Sequence, residues 1–435
     1  MFVVTRQSIA AITAFFFSLT LYAANESARD DFQAILDPLV SQKFIPGYYL
    51  SIQKNGEVVY EGSAGMADED GLAPSADTIF AVMSMSKPLI ALAIVKLADE
   101  GVIKFDDSLS KFIPAFSSVN IAPGGMYSNQ LQPLSRDIIL SDLLTHTSGL
   151  TYSSGIVGVG DVSDAYRDLG VMTLESVPDS QWGGLAGQIS KLVELPLVAQ
   201  PGERFIYSVS SDVLGRVIEV VTGMSLAEYM RNNIFVPLGM LDTSFYVPEN
   251  KRSRLAQLYS PLTRTYQVPG IPKRYQRSAI VPKDQKNYGL SDRGYESGGA
   301  GVLSTATDFS KFMDLIMNRG VHAGTAFISE RNAAKMLSHQ LPVQFGNDAL
   351  TMSIGSGASN VGFSFGLGIF LEEDGDVSDS STFDYLGWAG AANTSFWIDV
   401  NKKISGIFLT QHIPTQYNVA PRLEDLAERI FADVP

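Results

Sequence analysis

The sequence predicts an α/β fold in which strands from both ends of the chain form one antiparallel sheet, flanked by helices, around a mainly helical insertion. Segments rich in β-branched and aromatic residues lie near both termini, and Gly- and Pro-rich loops alternate with helical stretches between them. The 435 residues, of which 45% are hydrophobic, suffice for a sizeable core. The expected limits are residues 24–435 for the domain, about 31–85 and 345–435 for the sheet, and about 100–340 for the insertion.

The N-terminal strands are predicted to form a hairpin. Asn55-Gly56 is typical of a two-residue type I′ turn, and Tyr48–Lys54 and Glu57–Gly62 flank it. Further strands are expected near the C-terminus, where Phe, Ile, Trp and Thr are frequent. These C-terminal strands are Phe363–Leu371, Thr394–Val400 and Ile404–Gln411.

Helices are predicted where apolar residues recur at helical spacing, and a glycine after such a stretch indicates its end. A long apolar helix runs from about Met85 to Glu100 and is closed by Gly101. The other predicted helices are Ser211–Thr222 before Gly223, Phe309–Asn318 before Gly320, and about Pro421 to Phe431.

Composition excludes several classes of function. The net charge of -14 repels nucleic acid and anionic lipid, so neither is an expected partner. The absence of cysteine excludes disulfides, thiol catalysis and cysteine-bound zinc. The four histidines lack a paired metal-binding spacing, so we expect no metal and no cofactor. A small molecule is the expected partner.

The N-terminal segment resembles a secretory signal peptide. Arg6 precedes an apolar stretch from Ile9 to Leu21, which is shorter than the roughly 20 residues of a membrane span. The small residues Ala23 and Ala24 would form the cleavage site, which predicts a signal peptide over residues 1–23 and a periplasmic or secreted protein without stable membrane insertion. An uncleaved anchor is the alternative, because a larger residue stands where a small one is preferred.

The pattern Ser-x-x-Lys occurs three times, and its context separates the three copies. Ser51–Lys54 lies in a predicted strand, where residues three apart face opposite sides. Ser108–Lys111 lies in a polar stretch, and only Ser84–Lys87 opens an apolar helix. Pro88 lacks an N–H and is tolerated in a helix's first turn, which places Ser84 at the helix N-terminus.

A serine in that position gains a neighbouring ammonium and unpaired N–H groups that can stabilise an oxyanion. The alternative is a helix cap with a surface lysine. Tyr207 precedes a predicted helix and could exchange a proton with a lysine, or could be a packed aromatic residue. The stretch Gly387–Ala391 precedes a strong strand, where a backbone N–H can complete an oxyanion hole, or it is a Gly-rich turn.

Together these features resemble the serine β-lactamase and penicillin-binding superfamily. The resemblance is strongest to its class C-like esterase branch, which includes the family VIII carboxylesterases and the lovastatin-type acyltransferases. It runs from about Asp31 to the C-terminus. The further stretches that carry it are Leu143–Leu150, Gln200–Thr222, Pro237–Met240, Glu296–Gly301 and Trp388–Asp399.

The resemblance implies a β-lactamase/transpeptidase-like fold and a two-step acyl transfer on carboxylic esters. Ser84 would be the nucleophile, Lys87 and Tyr207 would handle its proton, and the N–H groups of Ser84 and Ala391 would form the oxyanion hole. Either Lys87 or Tyr207 could be the base, since coupled groups share their titration.

Two departures from the lactamase pattern put β-lactamase activity in doubt. Trp388-Ala389-Gly390 replaces Lys-Thr-Gly, and Tyr207-Ser208-Val209 replaces Tyr-x-Asn. Both changes remove polar groups that face a β-lactam in the family. We therefore expect Trp388, Ala389, Gly390 and Val209 to contact an ester substrate. The alternatives are a β-lactamase or D-aminoacyl peptidase, and a ligand sensor that is acylated without turnover.

Other motifs have weaker interpretations. Gly362–Gly366 matches the Gly-x-Ser-x-Gly elbow of α/β-hydrolases, but a strand rather than the required helix is expected after Ser364. His146 is expected to be structural, and the acidic stretch Glu372–Asp384 to be a solvated loop. Residues 151–185 and 251–295 either line substrate pockets or form surface loops.

Overall fold

A computed structural model describes residues 29–153, 158–171, 183–259, 296–341, 361–372, 375–379, 382–413 and 419–432. The predicted signal peptide and most of the segment 251–295 lie outside these residues. Within the described ranges, no helix is long and apolar enough to cross a membrane.

The central feature is a seven-stranded antiparallel sheet with the order β2-β1-β7-β6-β5-β4-β3. The first strand, β1, pairs with the last strand, β7, and Tyr49 lies opposite Leu409. The prediction of one sheet from both ends of the chain is thus confirmed. The strands are β1 Gly47–Lys54, β2 Glu57–Gly65, β3 Val361–Phe363, β4 Gly368–Leu371, β5 Phe383–Gly390, β6 Thr394–Asp399 and β7 Ile404–Leu409.

The predicted hairpin forms between β1 and β2. Asn55 and Gly56 adopt φ angles of 55° and 81°, as a type I′ turn requires at both central positions. Such a turn matches the twist of the two strands, so these two residues fix the register at this edge of the sheet.

Helices cover both faces of the sheet. The described helical segments are α1 (29–41), α2 Ser86–Asp99, α3 Leu140–Leu144, α4 Gly160–Asp168, α5 Gly184–Leu192, α6 Ser210–Thr222, α7 Leu226–Met230, α8 Ala306–Met317, α9 Glu330–Leu337 and α10 Ala420–Phe431. Gly101, Gly223 and Gly320 have positive φ angles after α2, α6 and α8, as predicted. The helix α8 begins before the predicted Phe309, because the Thr305 side chain caps it by accepting a hydrogen bond from Asp308 N.

Shorter elements connect these helices. Two-residue strand pairs join Phe80–Ala81 to Leu303–Ser304, Asn120–Ile121 to Gln132–Pro133, and Val321–His322 to Thr325–Ala326. Short 3₁₀ helices lie at Met83–Met85, Leu109–Lys111, Pro114–Ser118, Pro123–Gly125 and Glu249–Arg254, and a π-helical turn spans Arg231–Phe235.

Alternation along the strands divides the core into two layers. Tyr48 and Leu50 of β1 face an outer layer formed with α1 and α10, whereas Tyr49 faces the main core with α2 and the insertion. The helix α2 is buried along almost its whole length and packs against α6. A helix that is apolar on all sides belongs at the centre of a large core, and this helix carries Lys87 there.

The structure corrects one predicted strand. Phe363–Leu371 is interrupted by a tight turn, in which Ser364 N donates to Leu367 O at 2.8 Å. Gly366 has a φ of 86°, and a Cβ there would lie 2.7 Å from Ala91 Cβ of α2. The turn that joins the paired strands β3 and β4 therefore lies directly against α2.

Asp242 forms ion pairs with Lys251 and Arg254, which lie in the 3₁₀ helix Glu249–Arg254. Asp242 accepts hydrogen bonds from both terminal nitrogens of Arg254, at 2.9 and 2.7 Å, and lies 2.7 Å from Lys251 Nζ. Hydrogen bonding by Arg254 lowers the pKa of Asp242 to about 2, with Lys251 acting in the same direction and partial burial opposing them.

Candidate active site

Ser84 lies in the single 3₁₀ turn Met83–Met85 that leads into α2. Pro88 occupies the third position of that helix, where the missing N–H breaks no hydrogen bond, so the predicted helix start is confirmed. Every residue from Thr78 to Val95 is buried except Ser84, which is partly exposed. The hydroxyl of Ser84 is thus the point at which this buried segment meets the surface.

The turn that carries Ser84 is held by its neighbours. Ser86 Oγ donates to Met83 O at 2.6 Å and accepts from Val302 N at 3.1 Å. Met83 adopts a φ of 51°, which is uncommon for a non-glycine residue and is typical of positions fixed by their surroundings. Ser84 therefore has a defined position relative to α2.

Lys87 lies against Ser84 from the first turn of α2. Its Nζ is 3.1 Å from Ser84 Oγ and donates to Gly299 O at 2.7 Å, and its side chain is buried. The same Nζ lies 4.7 Å from the ring centroid of Tyr207 and 5.5 Å from that of Tyr152. The predicted Ser84, Lys87 and Tyr207 are thus brought together, with the ammonium between a hydroxyl and aromatic faces.

Tyr207 is buried three residues before α6. Its hydroxyl accepts a hydrogen bond from Trp388 Nε1 at 3.2 Å, and its ring packs with those of His146, Tyr152 and Trp388 at centroid distances of 4.8, 5.4 and 5.5 Å. The indole N–H of Trp388 is therefore engaged by Tyr207.

His146 holds the backbone around Tyr207. Its Nδ1 accepts from Ser208 N at 3.3 Å and lies 3.2 Å from Ser208 Oγ, while its carbonyl accepts from Ile206 N at 2.7 Å. Burial, and then the positive charge of Lys87, holds the pKa of His146 well below its usual range. The imidazole stays neutral, which fits the expected structural role.

The sequence interpretation missed the contact that positions the carbonyl of Gly299. Asp212, in the first turn of α6, is buried and accepts from Ser297 Oγ at 2.6 Å and from Gly299 N at 3.2 Å. Burial raises the pKa of Asp212, whereas the Ser297 hydroxyl and the charge of Lys87 oppose that change. No local pattern distinguishes Asp212 from the other charged residues of its helix, so the sequence offered no signal for this role.

The end of β5 packs against the turn that carries Ser84. A Cβ on Gly390 would collide with the carbonyl oxygen of Val82 and would lie 3.1 Å from Met83 Cβ. Ala391 follows β5 directly, so this close approach brings the end of the strand beside the nucleophile's turn. Glycine is the residue type that permits such an approach.

The predicted substrate contacts differ in exposure. Ala389 is exposed and Ala391 partly exposed, whereas Trp388 is 8% exposed. Val209 is fully buried in the main core, so the structure does not present its side chain to a substrate, in contrast to the prediction. It precedes α6 as the N-cap residue and its side chain serves packing.

The other candidate serines have structural positions. Ser364 is fully buried in the turn between β3 and β4, with its Oγ 3.3 Å from Leu367 O, and no helix follows it. This geometry is incompatible with a nucleophile elbow. Ser51 is buried in β1, and Ser108 caps a 3₁₀ turn and donates to Asp137 at 2.6 Å.

Comparison with known proteins places this arrangement in a family. The esterase EstB of Burkholderia gladioli is 28% identical over 90% of this chain and 92% of its own, and the lovastatin esterase of Penicillium rubens is 25% identical over 88% and 92%. Among solved structures, EstCE1, a hydrolase with promiscuous acyltransferase activity, superposes with a TM-score of 0.71 at 24% identity, over 93% of this chain and 99% of its own.

The family model described as Beta-lactamase matches residues 32–428, a range that contains the whole seven-stranded sheet and every candidate site residue. The chain therefore belongs to the β-lactamase family, in the branch that includes these esterases.

Proposed function

We propose that the protein is an exported serine carboxylesterase that cleaves esters through an acyl-enzyme on Ser84. The observation that carries this proposal is the distance of 3.1 Å between Lys87 Nζ and Ser84 Oγ. Ser84 is the one residue of the segment Thr78–Val95 that is partly exposed. A nucleophile and its proton partner within hydrogen-bond reach are the signature of covalent catalysis. The family's esterases support the substrate class.

In the first step, Ser84 Oγ attacks the ester carbonyl and its proton passes to the Lys87–Tyr207 pair. The negative charge on the carbonyl oxygen is stabilised by the N–H groups of Ser84 and Ala391. The C–O bond to the alcohol then breaks, and the alcohol oxygen takes the proton from the pair, leaving the acyl group on Ser84. No further cofactor enters this balance of atoms and charges.

In the second step, water loses a proton to the same pair and attacks the acyl carbonyl. Ser84 recovers its proton and the carboxylic acid leaves. An alcohol in place of water gives acyl transfer instead, with an ester as product. Hydrolysis and transfer share one intermediate, and the acceptor that reaches Ser84 decides between them.

Esters are proposed to be preferred over β-lactams. Trp388 replaces the lysine that would meet the lactam carboxylate, and its only N–H already donates to Tyr207. Val209 is buried in the main core, so no side-chain donor reaches the substrate where the lactamase branch has asparagine. A bound β-lactam would leave polar groups poorly paired, each costing roughly 1–3 kcal/mol. A simple ester has no such groups.

The decisive experiment compares kcat/KM for a short-chain aryl ester with that for a chromogenic cephalosporin. We expect the ester to be favoured strongly and hydrolysed continuously. An equal or higher value on the cephalosporin would instead support a β-lactamase. A single stoichiometric burst without turnover would support a ligand sensor.

Export is proposed from the N-terminal sequence. Arg6 followed by the apolar stretch Ile9–Leu21 supports removal of residues 1–23 during secretion. N-terminal sequencing of the exported protein should find Ala24 or Asn25 first. Exported protein that still begins at Met1 would favour the anchor.

A further inference from the structure

Four carboxyl groups meet where α10 packs on the sheet, on the outer face away from Ser84. Glu424 and Glu428 lie one turn apart on α10, Asp384 lies near the start of β5, and Asp399 ends β6. One oxygen from each of Asp384, Glu424 and Glu428 lies within 4.8 Å of the other two. Asp399 is close enough to act electrostatically on Asp384 and Glu424.

In the part of the chain that the structure describes, the four carboxyl groups outnumber the one cation that pairs with them, Lys402. Lys402 Nζ lies 2.7 Å from Glu428 Oε1 and 3.5 Å from Asp399 Oδ2. Arg319 lines the cleft beside Asp384, and no ion pair among the described residues joins the two. One ammonium therefore faces four carboxyl groups, and like charges this close repel strongly where water is scarce.

Glu424 adds an observation that points to a ligand. Its side chain is only 6% exposed, and it has no hydrogen bond or ion pair in the described part of the chain. Its oxygen nevertheless points at those of Asp384 and Glu428. Asp399 is 3% exposed and, unlike Glu424, is paired through Lys402, whose backbone N donates to its Oδ1 at 2.8 Å. Buried carboxylates are ordinarily paired or bind a metal ion.

The donor set selects the cation. All the donors are carboxylate oxygens, which suit hard divalent ions rather than the softer metals that prefer nitrogen or sulfur. Three oxygens that lie within 4.8 Å of one another can share the coordination sphere of one calcium ion, whose ligands stand at roughly 2.3–2.6 Å. Magnesium requires shorter distances and a nearly ideal octahedron. The cleft beside Asp384, which Asn401 also lines, gives access to the waters that complete calcium coordination.

We propose that Asp384, Glu424 and Glu428 bind a calcium ion that fastens α10 to β5. The buried face of α10, with Leu423 and Phe431, closes the outer core, so the ion stabilises the packing of this helix on the sheet. The site is separate from the Ser84 chemistry, and its test does not depend on turnover.

The first experiment measures binding on the full protein after treatment with a chelator. Terbium, which replaces calcium at oxygen sites, should show luminescence excited through the adjacent Tyr385, and calcium should compete it away. Calcium at about 100 times its Kd should also raise Tm by about 3 °C. No terbium signal that calcium displaces, together with an unchanged Tm, would overturn the proposal.

Variants locate the ion. Glu424→Gln and Asp384→Asn should lose the Tm response to calcium, whereas Asp425→Asn, an exposed change of equal charge on the same helix, should keep it. In the presence of chelator at neutral pH, Glu424→Gln should be about as stable as the wild type, because burial raises the pKa of Glu424 to about 8 and a neutral amide then replaces a mostly neutral carboxyl group. This result distinguishes loss of the ion from failure to fold. An unchanged calcium response in Glu424→Gln would refute the site.

Discussion

Replacement of Trp388 by phenylalanine tests whether the phenol oxygen of Tyr207 carries negative charge during catalysis. The variant keeps an aromatic ring against Tyr207 but removes the N–H that donates to its oxygen at 3.2 Å between two buried side chains. A hydrogen bond to a charged group contributes about 1.5–3 kcal/mol. We therefore expect kcat/KM for an aryl ester to fall about 10- to 150-fold, mostly in kcat.

Two further variants make this prediction specific. Trp397→Phe is the matched control, since Trp397 is a buried tryptophan whose N–H has no partner among the described residues, and it should leave kcat/KM nearly unchanged. Adding Trp388→Phe to Tyr207→Phe should cost little more than Tyr207→Phe alone, because both changes remove one interaction. If Trp388→Phe stays within about threefold of the wild type while Tyr207→Phe is inactive, the hydrogen bond has no role in the reaction.

Three other predictions follow from the described geometry. Ser84→Ala should reduce ester hydrolysis by several orders of magnitude, and Ser364→Ala should leave most of it; the reverse result would contradict the fold assignment. Lys87→Ala and Tyr207→Phe should each impair acylation, and the double variant should be little worse than either, as single-turnover kinetics can measure. Asp242→Asn should lower the free energy of unfolding by about 1 kcal/mol at neutral pH, allowing for solvent screening. The folded-state pKa of Asp242 is depressed to about 2, so this contribution should disappear as the pH falls from about 4 towards 2, and a difference unchanged at acid pH would refute it.

Structural features that depend on residues close together in the sequence could be predicted from the sequence. Asn55-Gly56 has the backbone preference of its turn, and Pro88 restricts where α2 can begin, which is enough to place Ser84 and Lys87 on one helical turn. The role of Tyr207 was inferred from the family resemblance, because no local sequence pattern indicates that its ring lies close to Lys87.

Features that depend on packing could not be predicted in the same way. Gly299 and Asp212 are 87 residues apart, and their hydrogen bond forms because the loop that contains Gly299 lies against the first turn of α6. The turn between β3 and β4 lies against Ala91 of α2, a residue far away in the sequence. Val209 looked like a substrate contact because it takes a motif position, and only the packed core reveals that its side chain points inward.

The pairing of β1 with β7 also has a consequence for how the chain folds. Tyr49 finds its partner in Leu409, so the middle of the sheet stays open until most of the polypeptide has been synthesised. Contacts between such distant residues slow folding, since the entropy of closing a long loop is lost before the strand pairing stabilises the chain. Loss of β7 would leave β1 and β6 with unpaired edges in the centre of the sheet, so a truncation before residue 404 should aggregate rather than yield a smaller folded unit.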